Sequence, residues 1–184
     1  MGDNGVQPGE LGDRKKNEWS DSRTMLIMNT VMDTEPRTDL AVLNGDLTTC
    51  EWLEPSLVYS KLEMIITPFL SRQIPFAATW GNHDWNEHCN TRGMTEYLWN
   101  RANNNGHQLT FTTSSPMPGD PSTLDPDKVG TSNYYIPLYS IDSNGHQKLK
   151  MLLWFFDSKG GRQYGTNLPV DDWVDDRVGM LISH

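Results

Sequence analysis

The sequence predicts an α/β chain built from a βαβ unit followed by a β-hairpin. Two short apolar runs, residues 39–44 and 75–80, each empty into a glycine, and the stretch between them has helical apolar spacing. Further on, Asp142-Ser143-Asn144-Gly145 separates two β-rich runs, and Asn-Gly in that place is a strong hairpin signal. A strand, a crossover helix and a strand make parallel neighbours with a right-handed connection.

Taken in order, residues 1–19 are rich in Gly, Asp, Asn and Lys, lack apolar periodicity and read as a loose arm before a domain spanning 20–184. Ser20 or Ser22 suits the cap of a helix carrying Met25, Leu26, Met28, Val31 and Met32, which Pro36 ends. The run at 39–44 reads as a buried parallel strand. A second helix is expected from about Pro55 to Arg72, with Leu57, Val58, Leu62, Ile65, Ile66, Phe69 and Leu70 as its apolar face. Pro68 should bend it or end it early. The run at 75–80 is the second strand, and a third helix is expected over 91–104. Residues 112–131, with Pro116, Pro118, Pro121 and Pro126, form a long surface loop. Two strands, 132–139 and 148–156, flank the hairpin turn. From Val170 the pattern resembles the first turns of another helix, with Asp171, Asp172, Asp175 and Asp176 favourably near its start.

Composition narrows the function. The chain has 184 residues, with 15 Lys and Arg against 24 Asp and Glu, a net charge of −9. That balance opposes nucleic-acid binding, which needs clustered positive charge. No apolar run reaches the roughly 20 residues of a membrane helix, so no membrane partner is expected. The first residues lack the basic and apolar regions of a secretory signal, which leaves the cytoplasm as the default location. Cys50 and Cys89 are too few for a disulfide scaffold and read as free thiols.

Ligands of open parallel sheets bind outside the carboxyl ends of the strands. Gly45-Asp46 and Gly81-Asn82-His83-Asp84 fall at two such ends. A carboxylate and an amide oxygen are donors a hard or borderline cation accepts. A histidine beside an aspartate fits an imidazole oriented for proton transfer.

Asn44-Gly45-Asp46, with Gly81-Asn82-His83-Asp84 beginning 35 residues after Asp46, resembles the calcineurin-like metallophosphoesterase superfamily. Residues 39–84, Tyr134-Tyr135-Ile136-Pro137 and the run Trp154 to Gly161 most resemble its fungal branch related to purple acid phosphatases. The resemblance implies part of a four-layer αββα sandwich and hydrolysis of phosphomonoesters or phosphoprotein. It implies Asp46 as the carboxylate bridging two metal ions, of Mn, Zn or Fe, and Asn82 as a ligand of one. His83 is then the acid toward the leaving-group oxygen, and Asp84 holds His83. Two such cations polarise the phosphoryl group and activate a hydroxide for in-line attack.

The family's first motif, Asp-x-His, is missing, because residues 1–19 hold Asp3 and Asp13 but no histidine. Its late Gly-His-x-His is also missing, and Gly145-His146 lies in a hairpin turn without the second histidine. The expectation is an incomplete domain of a longer phosphoesterase that binds metal weakly. The alternative is a catalytically inactive fragment acting through a partner. His88 and Cys89 are weak candidates as added ligands, while His107, His146 and His184 read as solvated. The paired acids at 171–176 match no EF-hand, and no Gly-x-Ser-x-Gly elbow supports a serine hydrolase.

Overall fold

The computed structural model describes residues 11–48, 50, 53–85, 89–102, 107–113, 124–158 and 174–182. Helix α1 spans Leu11–Thr34, so residues 11–19 of the expected loose arm are helical. No proline interrupts that span and its one glycine, Gly12, stands near the start. Arg14, Lys15, Lys16 and Glu18 are good helix formers, and helix can continue there without an apolar stripe. Pro36 lies just beyond the end, as expected of a residue that disfavours helix before it. Met28 and Met32 face the core, whereas Leu26, Ile27 and Val31 are exposed.

Strands β1 (Ala41–Asn44) and β2 (Phe76–Thr79) pair in parallel, in register from Ala41 opposite Phe76 to Asn44 opposite Thr79. Helix α2 (Val58–Ser71) connects them, entered by a 3-10 turn at Pro55–Leu57. Pro68 does not end α2, which runs on to Ser71. A proline there removes one intrahelical donor near the C-terminus, and the burial of Pro68 and Phe69 offsets that loss. Arg72 then donates from Nη1 to the Pro68 carbonyl at 3.2 Å and, from Nε and Nη2, to Asp33 of α1 at 3.0 and 2.7 Å. Lys61 pairs with Asp21, a second ionic tie between the two helices.

Side chains alternate along a strand, and β2 uses both faces. Phe76 and Ala78 join the larger core with Leu62 and Ile66 of α2 and with Met94 and Leu98 of helix α3 (Thr91–Ala102). Ala77 points the other way, into a second cluster with Tyr134, Ile136 and Phe155. Those residues belong to the antiparallel hairpin of β3 (Tyr134–Ile141) and β4 (Gln147–Phe155). The order of layers is therefore helices, the parallel pair, then the base of the hairpin. This mixed α/β arrangement of two small sheets is consistent with part of the expected αββα sandwich.

The free edge of β2 is covered. Phe76 donates to His107 and Leu109 donates to Phe76, at 2.7 and 2.8 Å, while the Ala78 N–H reaches Thr110 Oγ1 at 2.7 Å. The hairpin turn forms where Asn-Gly placed it: Asp142 Oδ1 accepts from the N–H groups of Asn144 and His146, and Gly145 takes φ +85°. Inside the expected long loop lies a single helical turn, α4 (Pro126–Val129); residues 114–123 lie outside the described set. The last helix, α5, runs Asp176–Ile182, and residues 170–173 of its expected start lie outside the described set. Asp175 caps it, accepting the Arg177 N–H at 3.0 Å.

Tyr134 locks the hairpin to the parallel pair. Its ring stacks on Phe155 at 4.6 Å and its hydroxyl donates to the Ala78 carbonyl at 2.6 Å. Burial raises its phenol well above the ordinary value. Tyr134→Phe is expected to cost about 1–2 kcal/mol in urea unfolding. Tyr139→Phe, on the exposed part of the same strand, should stay within about 0.5 kcal/mol.

Candidate functional site at the ends of two parallel strands

Both predicted motifs leave the carboxyl ends of neighbouring strands. After β1 the chain makes two consecutive left-handed residues, Gly45 at φ +72° and Asp46 at φ +52°. This throws the Asp46 side chain across to the loop after β2, where its Oδ1 accepts the His83 N–H at 3.1 Å. The backbones come so close that side chains are excluded. A Cβ on Gly45 would lie 2.8 Å from the Gly81 nitrogen, and one on Gly81 would lie 2.6 Å from the Asp46 nitrogen. Glycine at both positions is a steric requirement of the juxtaposition.

Asn82, His83 and Asp84 form a 3-10 turn. Asn82 and Asp46 are exposed, His83 is half-buried and Asp84 is fully buried. Asp84 turns inward: Oδ1 accepts the Thr48 N–H at 2.7 Å and the Thr48 hydroxyl at 3.1 Å, and Oδ2 accepts the Gly81 N–H at 2.9 Å. These bonds clamp the backbone on both sides of Asn82 and His83. The His83 carbonyl in turn accepts the Cys50 N–H at 2.9 Å. Desolvation pushes the Asp84 carboxyl up to about 6 against the pull of its three donors, with the Asp46 charge adding a smaller rise.

The structure thus brings Asp46, Asn82, His83 and Asp84 to one edge. Among the described residues, no three His, Cys, Asp or Glu side chains gather as a group that could hold a metal ion. Structural sites of zinc take four ligands and hard octahedral cations take six oxygens. Asp46 and Asn82 do not complete even one such shell, and a two-metal centre does not fit these residues.

One family model, that of the calcineurin-like phosphoesterases, matches residues 2–183, a span that holds both motifs and both parallel strands. The chain belongs to that family. Comparison with curated proteins and with solved structures returned no match. No helix of this family member, among the described residues, is long and apolar enough to cross a membrane.

One sequence expectation is overturned here. Cys50 and Cys89 are joined in a disulfide, both sulfurs buried, so neither is a free thiol and Cys89 is no ligand candidate. Spacing concealed the pair, because 39 residues separate the two and only the parallel strand pairing returns Cys89 beside Cys50. Disulfides persist in oxidising compartments and are rare in the cytosol, which sets this bond against the cytoplasmic default. His88 lies outside the described residues. Sequence reading also missed Thr48, whose only signal was its place two residues after Asp46.

A second omission lies behind the site. Trp80, the residue before Gly81, donates its backbone N–H to Ser132 Oγ at 3.3 Å and its indole N–H to Thr95 Oγ1 at 2.9 Å. Ser132 and Thr131 give their N–H groups to the buried Asp157 at 3.1 and 2.7 Å. The resemblance had drawn Asp157 in only as one letter of the run from Trp154.

Two outcomes follow from this geometry. Gly81→Ala must force the Asp46 loop away and is expected to lower stability by about 1–3 kcal/mol in chemical unfolding. For Asp84 the folded pKa lies above the ordinary 3.8, so the folded state holds more protons between the two values. Its stabilising contribution is complete below about pH 4 and is lost as pH rises through about 6, on the order of 2–3 kcal/mol. Unfolding curves from pH 4 to 7 should show that decline, and Asp84→Asn should flatten it.

Proposed function

We propose that this chain carries the Gly-Asp and Gly-Asn-His-Asp edge of a metal-dependent phosphoesterase site, of the branch related to purple acid phosphatases. The observation that carries the reading is the contact between the two motifs: Asp46 reaches His83 across adjacent parallel strand ends, with no room for a side chain at Gly45 or Gly81. Phosphomonoesters or phosphoprotein are the substrates it would take. The net charge of −9 disfavours a nucleic-acid partner.

Within this reading His83 is the proton donor to the leaving oxygen. It stands at the solvent edge with its main chain fixed at both ends, by Asp46 at the N–H and by Cys50 at the carbonyl. Such fixation is what positioned acid catalysis requires. Asp84 serves by holding the turn through Thr48 and Gly81. Asp46 and Asn82 offer one carboxylate and one amide oxygen toward a cation. Because the described donors do not complete a metal shell, no hydrolytic step is assigned to metal here. The same shortfall favours a second reading, in which the chain keeps the family's scaffold without turnover and acts by binding a partner.

Titration with Mn²⁺ followed by electron paramagnetic resonance, and hydrolysis of a chromogenic phosphate ester with and without Mn²⁺, separate these readings. Asp46→Asn is expected to weaken Mn²⁺ binding about tenfold or more, the scale on which site partners act. His83→Ala should leave Mn²⁺ binding intact and lower any turnover by about 10²–10⁴. Turnover that ignores both variants sinks the active-site reading. Mn²⁺ binding at Asp46 with no turnover selects the second.

A further inference from the structure

The Cys50–Cys89 bond has no part in the chemistry just proposed, yet it sits between the pieces that chemistry needs. Cys50 follows Asp46 by four positions and donates its N–H to the carbonyl of His83 at 2.9 Å. Its sulfur lies 3.0 Å from Thr48 Oγ, the hydroxyl that also reaches Asp84. Cys89 adjoins Asn90, whose Oδ1 accepts the Gly93 N–H at 2.8 Å and so caps the first turn of α3. Thr91, at the head of that helix, meets Thr131 at 2.9 Å. One covalent bond therefore joins the loop after β1, the turn after β2 and the entrance to α3.

The strands beneath these loops are only four residues each. The core on which they pack, with Leu62, Ile66, Phe76 and Met94, also takes in both cysteines, whereas Asp46 and Asn82 of the loops are exposed. Beyond the strand ends, the two motif loops hold each other through the bonds of Asp84, the Asp46–His83 bond, the Cys50–His83 bond and the disulfide. Exposed loop residues open locally at a lower free energy than a core, and a cross-link anchored in the core limits how far the loops part.

We propose that the Cys50–Cys89 disulfide is a redox-sensitive positioning bond that keeps the Asp46 loop docked on the His83 turn, and that a dithiol reductant releases it. In the release, a thiolate of the reductant attacks one cystine sulfur and forms a mixed disulfide, and the other sulfur departs as a thiolate. The reductant's second thiol then displaces the protein. The cystine gains two electrons and two protons, and the dithiol loses them to become a disulfide. Because both sulfurs are buried, the attack follows a local opening of these same loops.

The test needs no turnover and no metal, so its failure is separate from failure of the phosphoesterase reading. Alkylation of the unreduced, denatured protein followed by mass spectrometry should find neither cysteine modified; two modified cysteines overturn the proposal. Amide hydrogen exchange is then compared before and after treatment with dithiothreitol, and again after reoxidation. Reduction should speed exchange at Thr48, Cys50, Gly81 and His83 at least tenfold, leave Leu62, Ile66 and Ala78 within twofold, and reverse on reoxidation. Exchange that rises uniformly through the chain means a staple of the whole fold and overturns the proposal, as does exchange that does not change. The double variant Cys50→Ala/Cys89→Ala should reproduce the reduced pattern and be indifferent to dithiothreitol. If that variant does not fold, the reversible reduction decides by itself.

Discussion

A single buried carboxylate holds the strand ends together. Asp84 is fully enclosed, and an enclosed carboxylate is costly unless its oxygens are matched. Its three donors come from both motif loops, two from Thr48 after β1 and one from Gly81 after β2. Neither loop can shift without leaving part of that carboxylate unmatched. The same group therefore sets the separation of Asp46 and His83, although it lies beneath both. Desolvation outweighs its hydrogen bonds and lifts its pKa, the sign of a group kept for geometry at some expense in stability.

A second buried acid does comparable work one layer away. Asp157, at the end of β4, accepts from the backbones of Thr131 and Ser132, and its own N–H donates to Asn133 Oδ1 at 2.9 Å. Ser132 carries the connection to β2 through Trp80 and through Thr79, 3.1 Å from its hydroxyl. Gly130, at φ +102°, is required there because a Cβ would lie 2.7 Å from the Asp157 carbonyl. Hydrophobic contact of Ala77 with Tyr134 and Phe155 supplies the adhesion between the sheets, and this polar network fixes their registration. Apolar packing tolerates sliding; a set of directed bonds does not.

How far this was legible follows from the range of the interactions. The parallel pair, the hairpin and its turn come from local pattern, and residues 39–44, 75–80 and 142–145 displayed it. The start of α1 was not legible, since a helix of charged residues has no apolar period to read. Pro68 shows the opposite case, since α2 continues past it to Ser71 with Pro68 and Phe69 buried, where the local rule allowed an early end. At the candidate site, residue types at strand ends singled out Asp46, Asn82, His83 and Asp84. Which of them turns inward was not legible, because burial alone makes Asp84 inward and Asp46 outward. Thr48, Ser132 and the disulfide are long-range partners whose identity no spacing in the chain announces.

Asp46 is a non-glycine residue held at φ +52°, beside a glycine at +72°. A left-handed non-glycine residue costs on the order of 1 kcal/mol and persists only where its surroundings over-determine it. Here they do: the Gly81 backbone is in contact below, the His83 N–H engages the side chain, and the Thr48–Asp84 bonds fix the following turn. A turn needed only to reverse the chain could relax this strain with a second glycine or an asparagine. Keeping an aspartate instead places a carboxylate at the solvent edge, one oxygen held by the His83 N–H. That placement serves no packing purpose, since Asp46 is exposed and joins neither core. It sets a carboxylate on the backbone of the neighbouring loop at the mouth of two parallel strands, the edge at which such sheets bind their ligands.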